Sequence, residues 1–137
     1  MDIQTFIEKL QAYHAPLVFN PWSEFDASCD IGETAPAIRS KTFKRYLELR
    51  QNAKYLFVAE GLGYQGGHFS GIAITSERIL LGHHPDVDQK SVLGEWNYEE
   101  TRTSDPKSSL LNNSQKQKAN GFQKSHWFLV FFSIFPR

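Results

Sequence analysis

The residues best suited to chemistry lie together in one stretch. It reads Phe57-Val58-Ala59-Glu60-Gly61-Leu62-Gly63-Tyr64-Gln65-Gly66-Gly67-His68-Phe69-Ser70-Gly71-Ile72-Ala73-Ile74-Thr75-Ser76-Glu77-Arg78. Gly61, Gly63, Gly66, Gly67 and Gly71 let backbone come close to a flat ligand and turn N–H groups toward it. The carboxylate of Glu60 opens the loop, and His68 sits inside it. Thr75, Ser76 and Arg78 close it with donors of the kind that hold phosphates, or with the cap of a following helix. Gly61-x-Gly63-x-x-Gly66 has the spacing of a dinucleotide fingerprint, but the glycines run on to Gly71 where that fingerprint needs a helix.

Two further groups offer reactive side chains. His83-His84-Pro85-Asp86 could suggest a metal, yet adjacent histidines point in different directions and no further ligands cluster there, so the segment reads as a surface loop. Cys29 is the single cysteine. It excludes a disulfide framework, a four-cysteine zinc site and a four-cysteine iron–sulfur cluster, and no spacing ties it to a histidine as a nucleophile pair.

The long glycine segment resembles the first active-site motif of the uracil-DNA glycosylase superfamily. That motif follows a strand with Gly-Glu-Ala-Pro-Gly-Tyr-x-Gly, a variable pair, then Ser/Thr-Gly-Ile-Pro-Phe-Thr-Ser-Glu-Arg. Here the matching residues are Ala59-Glu60-Gly61-Leu62-Gly63-Tyr64-Gln65-Gly66 and Ser70-Gly71-Ile72-Ala73-Ile74-Thr75-Ser76-Glu77-Arg78. Phe19-Asn20-Pro21-Trp22, Cys29-Asp30 and Arg39 resemble the family upstream; Arg102-Thr103-Ser104 and Asn120-Gly121-Phe122 do so more faintly downstream. The resemblance spans residues 1–122. It implies hydrolysis of the N-glycosidic bond of a uracil flipped out of DNA, with uracil-containing DNA as partner and no cofactor and no metal.

The resemblance also assigns sites. Glu60 would position a water or shape the pocket, the alternative being a loop carboxylate capping N–H groups. Gly61, Leu62, Gly63, Tyr64 and Ile74 would face the base. Leu62 stands where the family has Pro, and Ile74 stands where its Phe stacks on uracil. Gly61 has no side chain to act as a base. His68, Thr75, Ser76 and Arg78 would approach DNA, with a solvated loop histidine as the alternative for His68. The family's later His-Pro segment has no counterpart: His83-His84-Pro85 comes too early.

Elements must hold these residues in place. Ile3, Phe6, Ile7, Leu10 and Tyr13 recur at helical spacing and, with Asp2 as N-cap, predict a helix over 2–13. A polar loop follows from Phe19 to Pro36. A second helix over 37–52 has a stripe of Ile38, Thr42, Tyr46 and Leu49, and a basic side of Arg39, Lys41, Lys44, Arg45, Arg50 and Lys54. That side reads as solvated, or as phosphate-facing. Lys54-Tyr55-Leu56-Phe57-Val58-Ala59 is a short apolar run suited to a strand buried on both faces, as in a parallel sheet. A capped helical turn over 75–81 and a short helix over 87–93 come next, and 112–120 reads as flexible. Helix, strand, glycine loop and helix begin an α/β fold. The expectation is a three-layer α/β/α architecture with a central, mainly parallel sheet, incomplete in this chain.

Composition sets the outer bounds. The 137 residues are 40% hydrophobic, enough for one domain core. Fifteen basic residues balance 15 acidic ones, which excludes a wholesale polybasic binder but not a local basic face. No apolar run is long enough for an ordinary membrane span, and the start lacks the features of a signal peptide, so a cytoplasmic, monomeric protein without a membrane partner is expected. Residues 123–137 carry no family pattern; their abrupt aromatic richness resembles a truncated or out-of-frame end, or else a buried strand over 127–134.

Overall fold

The computed structural model describes residues 2–60, 66–107 and 130–135. The first helix, α1 (Ile3–Gln11), starts where the Asp2 carboxylate accepts the Thr5 N–H at 2.9 Å. Ile3, Phe6, Ile7 and Leu10 turn toward the core. Asn20 closes the other end, its side-chain amide donating to the carbonyls of Leu10 and Tyr13 at 2.6 and 2.9 Å. The Leu10 carbonyl lies in the last turn, where a helix runs out of its own i+4 donors.

Helix α2 (Ala35–Glu48) begins with Pro36 in its first turn, where the missing N–H costs nothing. Phe43, Tyr46 and Leu47 meet Ile7, Trp22, Ile72, Leu80 and Leu93 in one apolar cluster. The Trp22 and Phe43 rings lie 5.2 Å apart. The buried stripe thus differs from the expected one: Phe43 and Leu47 belong to it, and Leu49 is 41% exposed. The reason is Arg39, which is 0% exposed and occupies a core-facing position that a hydrophobicity pattern assigns to the outside.

Arg39 donates to the Pro21 carbonyl, to the Glu24 carbonyl at 2.8 Å, and to both oxygens of Asp30 at 2.7 and 3.0 Å. Arg50 is also internal. It donates to the Val92 and Ser91 carbonyls at 2.8 and 3.0 Å, while the Arg45 Nε donates to Leu93 at 3.1 Å. These carbonyls belong to the end of helix α5 (Gln89–Leu93), so two guanidiniums cap it. Lys41 pairs with Glu100 at 2.7 Å. The expected basic face is therefore largely spent on the fold: Arg39 and Arg50 point inward, neither solvated nor toward a phosphate.

Strand β1 (Tyr55–Glu60) pairs antiparallel with β2 (Val130–Phe135), Tyr55 opposite Phe135 and Glu60 opposite Val130. This overturns the expected three-layer α/β/α fold with a central, mainly parallel sheet. The described residues are helix-rich, and their strand pair is antiparallel. An apolar run indicates a buried strand but does not set its partner's direction.

Short elements complete the chain: α3 (Gly67–Ser70), α4 (Glu77–Leu80), α5 (Gln89–Leu93) and a 3-10 turn (Tyr98–Thr101). Ser76 caps α4 and Asp88 caps α5, through N–H groups at Ile79 and Lys90. The expected flexible segment 112–120 lies outside the described residues. Among the described residues no helix is long and apolar enough to cross a membrane.

The buried pair makes a direct prediction. Arg39→Met strands the Asp30 carboxylate, whose side chain is 0% exposed, and should lower unfolding free energy by about 3–5 kcal/mol in urea titration. Lys41→Met removes a pair whose side chains are 60% and 50% exposed, and should cost under about 1 kcal/mol.

Candidate functional site

Residues 66–78 form a closed loop held by its own hydroxyls. The Ser70 hydroxyl donates to the Thr75 carbonyl at 2.6 Å and accepts the Ile72 N–H at 3.1 Å. The Thr75 hydroxyl donates to the Ala73 carbonyl at 3.1 Å. Gly71 takes φ +68°, and a Cβ there would meet Trp22 Nε1 at 3.0 Å and Arg39 Cβ at 3.2 Å. Both the turn and the close approach require glycine. Ile74 adopts φ 55°, a left-handed conformation rare for a β-branched residue, and its side chain is 81% exposed.

Glu77 fixes the loop to the chain's later part. It is 8% exposed and accepts the backbone N–H groups of Thr103 and Ser104, the latter at 3.0 Å, and the Ser104 hydroxyl. The Thr103 hydroxyl donates to the Phe69 carbonyl at 2.6 Å. Ser76 serves the α4 cap, and exposed Arg78 donates from Nε to the His83 carbonyl at 2.9 Å. Glu60 ends β1. Gly61, Leu62, Gly63 and Tyr64 lie outside the described residues. His84 remains a loop residue, accepting the Asp86 N–H at 3.2 Å.

The structure assembles a second group that spacing did not reveal. His68 is 3% exposed, neither a solvated loop histidine nor a side chain free to reach solvent. Phe19 stacks on its ring at 4.5 Å, and Phe69 meets it edge-on at 4.7 Å. These rings aim His68 Nε2 at Cys29 Sγ, 3.4 Å away, with Asp30 Oδ1 at 3.9 Å. Asp26, Cys29 and His68 place one donor atom each within 4.8 Å of one another. Thirty-nine residues separate Cys29 from His68, so only the packing of the 19–30 loop on α3 brings them together. The available sequence signal was weak: Cys29-Asp30 and His68 lay in separate parts of the same resemblance.

The electrostatics follow from burial. Burial pushes the Cys29 thiol up to about 12, and Asp26 and Asp30 add to the shift. Burial and then the Arg39 charge hold His68 below its ordinary value, against the pull of Asp30 and Asp26. Burial works against ionised Asp26, but hydrogen bonds from Ser28 and Cys29 prevail and lower it. A Cys–His nucleophile pair is not built here. Thiol and carboxylate both face Nε2, whereas a relay needs them on opposite ring nitrogens, and the thiol is held protonated.

Compared with protein-family models, curated proteins and solved structures, the chain has no match.

A histidine held below its ordinary 6.5 gives stability that is present above that value and lost as pH falls through the folded value. With a chelator present, the melting temperature should fall between about pH 7.5 and about pH 5. His68→Gln should flatten that slope. An unchanged slope would show that His68 does not titrate with unfolding.

Proposed function

We propose that the chain is a uracil-DNA glycosylase-like protein that accepts a deaminated base flipped from DNA and hydrolyses its N-glycosidic bond. The observation that carries this reading is the ordered run Glu60-Gly61-Leu62-Gly63-Tyr64-Gln65-Gly66 followed by Ser70-Gly71-Ile72-Ala73-Ile74-Thr75-Ser76-Glu77-Arg78. The closed geometry of 66–78 supports it. Buried Glu77 and the Gly71 turn hold that loop rigidly, while Ile74 stays 81% exposed as an apolar surface for a ring.

A base must leave the stack before water can reach its glycosidic carbon. Glu60 then orients the water, and Tyr64 shapes the pocket against a 5-methyl group. Backbone N–H groups of the glycine loop stabilise charge developing on the leaving base. Exposed Arg78 faces the phosphates. The DNA is bound by a monomer in the cytoplasm. A second reading is a base-binding relative without turnover. Gly61, which offers no side chain as a base, and Ile74 in place of an aromatic ring favour it.

Single- and double-stranded oligonucleotides carrying one uracil, followed by alkali, distinguish the two. Strand scission above a buffer control, reduced about 100-fold or more by Glu60→Gln, is the expected result. Uracil-dependent retention without scission selects the second reading. Neither scission nor retention overturns both.

A further inference from the structure

The Asp26–Cys29–His68 cluster has a use that the glycosylase reading does not absorb. Its three donors are a carboxylate, a sulfur and an imidazole nitrogen, the set that suits zinc rather than magnesium or calcium. Its spacing suits zinc too. With Zn–S of about 2.3 Å and Zn–N of about 2.0–2.1 Å, tetrahedral geometry separates the two donors by about 3.5 Å. The Cys29 Sγ to His68 Nε2 distance is 3.4 Å. Those two ligands stand at ligand separation before any metal enters.

The surroundings hold them there. Cys29 is 1% exposed, and the His68 ring is clamped between Phe19 and Phe69 with Nε2 toward the sulfur. Asp30 is committed to Arg39 at 2.7 Å, so a neutral pair backs the site instead of a free positive charge. Asp26 lies on the partly open side, beside exposed Ala27 and Ser28. Its carboxylate sits within 4.8 Å of both other donors, and its Oδ1 accepts the Ser28 N–H at 2.9 Å and the Ser28 hydroxyl, bonds that the ion would share or replace.

We propose that Asp26, Cys29 and His68 bind a single zinc ion, which ties the 19–30 loop to the glycine-rich segment at α3. On binding, the ion displaces the Cys29 thiol proton to solvent; thiolate and carboxylate then balance its charge, and neutral imidazole completes the protein's share. The ion fastens two segments that are otherwise joined by packing and by Arg39. This inference stands apart from the glycosylase reading and from Glu60.

Cobalt(II) titration of the whole, reduced chain tests it, because a thiolate-to-cobalt charge-transfer band reports sulfur ligation. The expected result is a band that saturates at one equivalent and is displaced by zinc. Cys29→Ser should abolish the band. His68→Asn and Asp26→Asn should each weaken binding by about 100-fold or more, beyond the ~10–100-fold effect of an outer-shell change. His84→Asn should leave binding unchanged. Absence of the band in the unmutated chain overturns the proposal whatever the variants do. So does tight binding that survives Cys29→Ser and His68→Asn in proteins whose circular dichroism shows them folded.

Discussion

A guanidinium removed from water needs partners for its donors, and Arg39 makes four hydrogen bonds within one neighbourhood. Its side chain is 0% exposed, as is that of Asp30. Two of the bonds go to the carbonyls of Pro21 and Glu24. A helix, a turn and a loop are thereby joined by charge-assisted bonds where apolar contact alone would allow sliding. The circuit then closes. Gly71 packs on Arg39, the loop it begins leads to Glu77, and Glu77 holds Thr103 and Ser104. Ser104 forms an antiparallel bridge back to Asp30. Apart from the Gly71 contact, each link uses a buried polar group with a partner, so losing one leaves others unsatisfied.

This dependence explains what was legible beforehand. Helix α1 was readable because cap and apolar spacing agree: Asp2 caps it, and Ile3, Phe6, Ile7 and Leu10 face inward. The capped turn begun by Ser76 belongs to the same class of local signal. Helix α2 was readable as a helix but not in its rotation. A pattern that sorts residues by hydropathy puts Arg39 and Arg50 outside and Leu49 inside; the fold does the reverse. Carbonyl groups distant in sequence decide the matter, and no periodicity encodes them.

The strand shows a different limit. The run at 54–59 marked β1 to within a residue. Its antiparallel partner lies in 130–135, inside the tail whose aromatic texture resembled a stray end or else a strand over 127–134. Pairing direction is a property of two segments and their connection, and an apolar run carries information about only one. The α/β expectation failed there, at topology, while most of the individual elements stood.

The glycine segment holds residues of two physical kinds. Ile74 and Arg78 are exposed, and a substitution there changes what the surface offers without disturbing a buried bond network. Gly71, Ser70 and Glu77 hold the loop's shape, and a substitution there opens the fold. His68 belongs to neither kind. It falls in the stretch that the motif leaves variable, yet it is clamped by Phe19 and Phe69 against Cys29. A side chain buried so completely, with a sulfur and two carboxylates nearby, is set by the 19–30 loop rather than by the motif it interrupts. The motif and the cluster therefore answer to separate constraints. The shared wall between them, α3 with Phe69 bonded to Thr103, lets a change in the one be felt as displacement in the other.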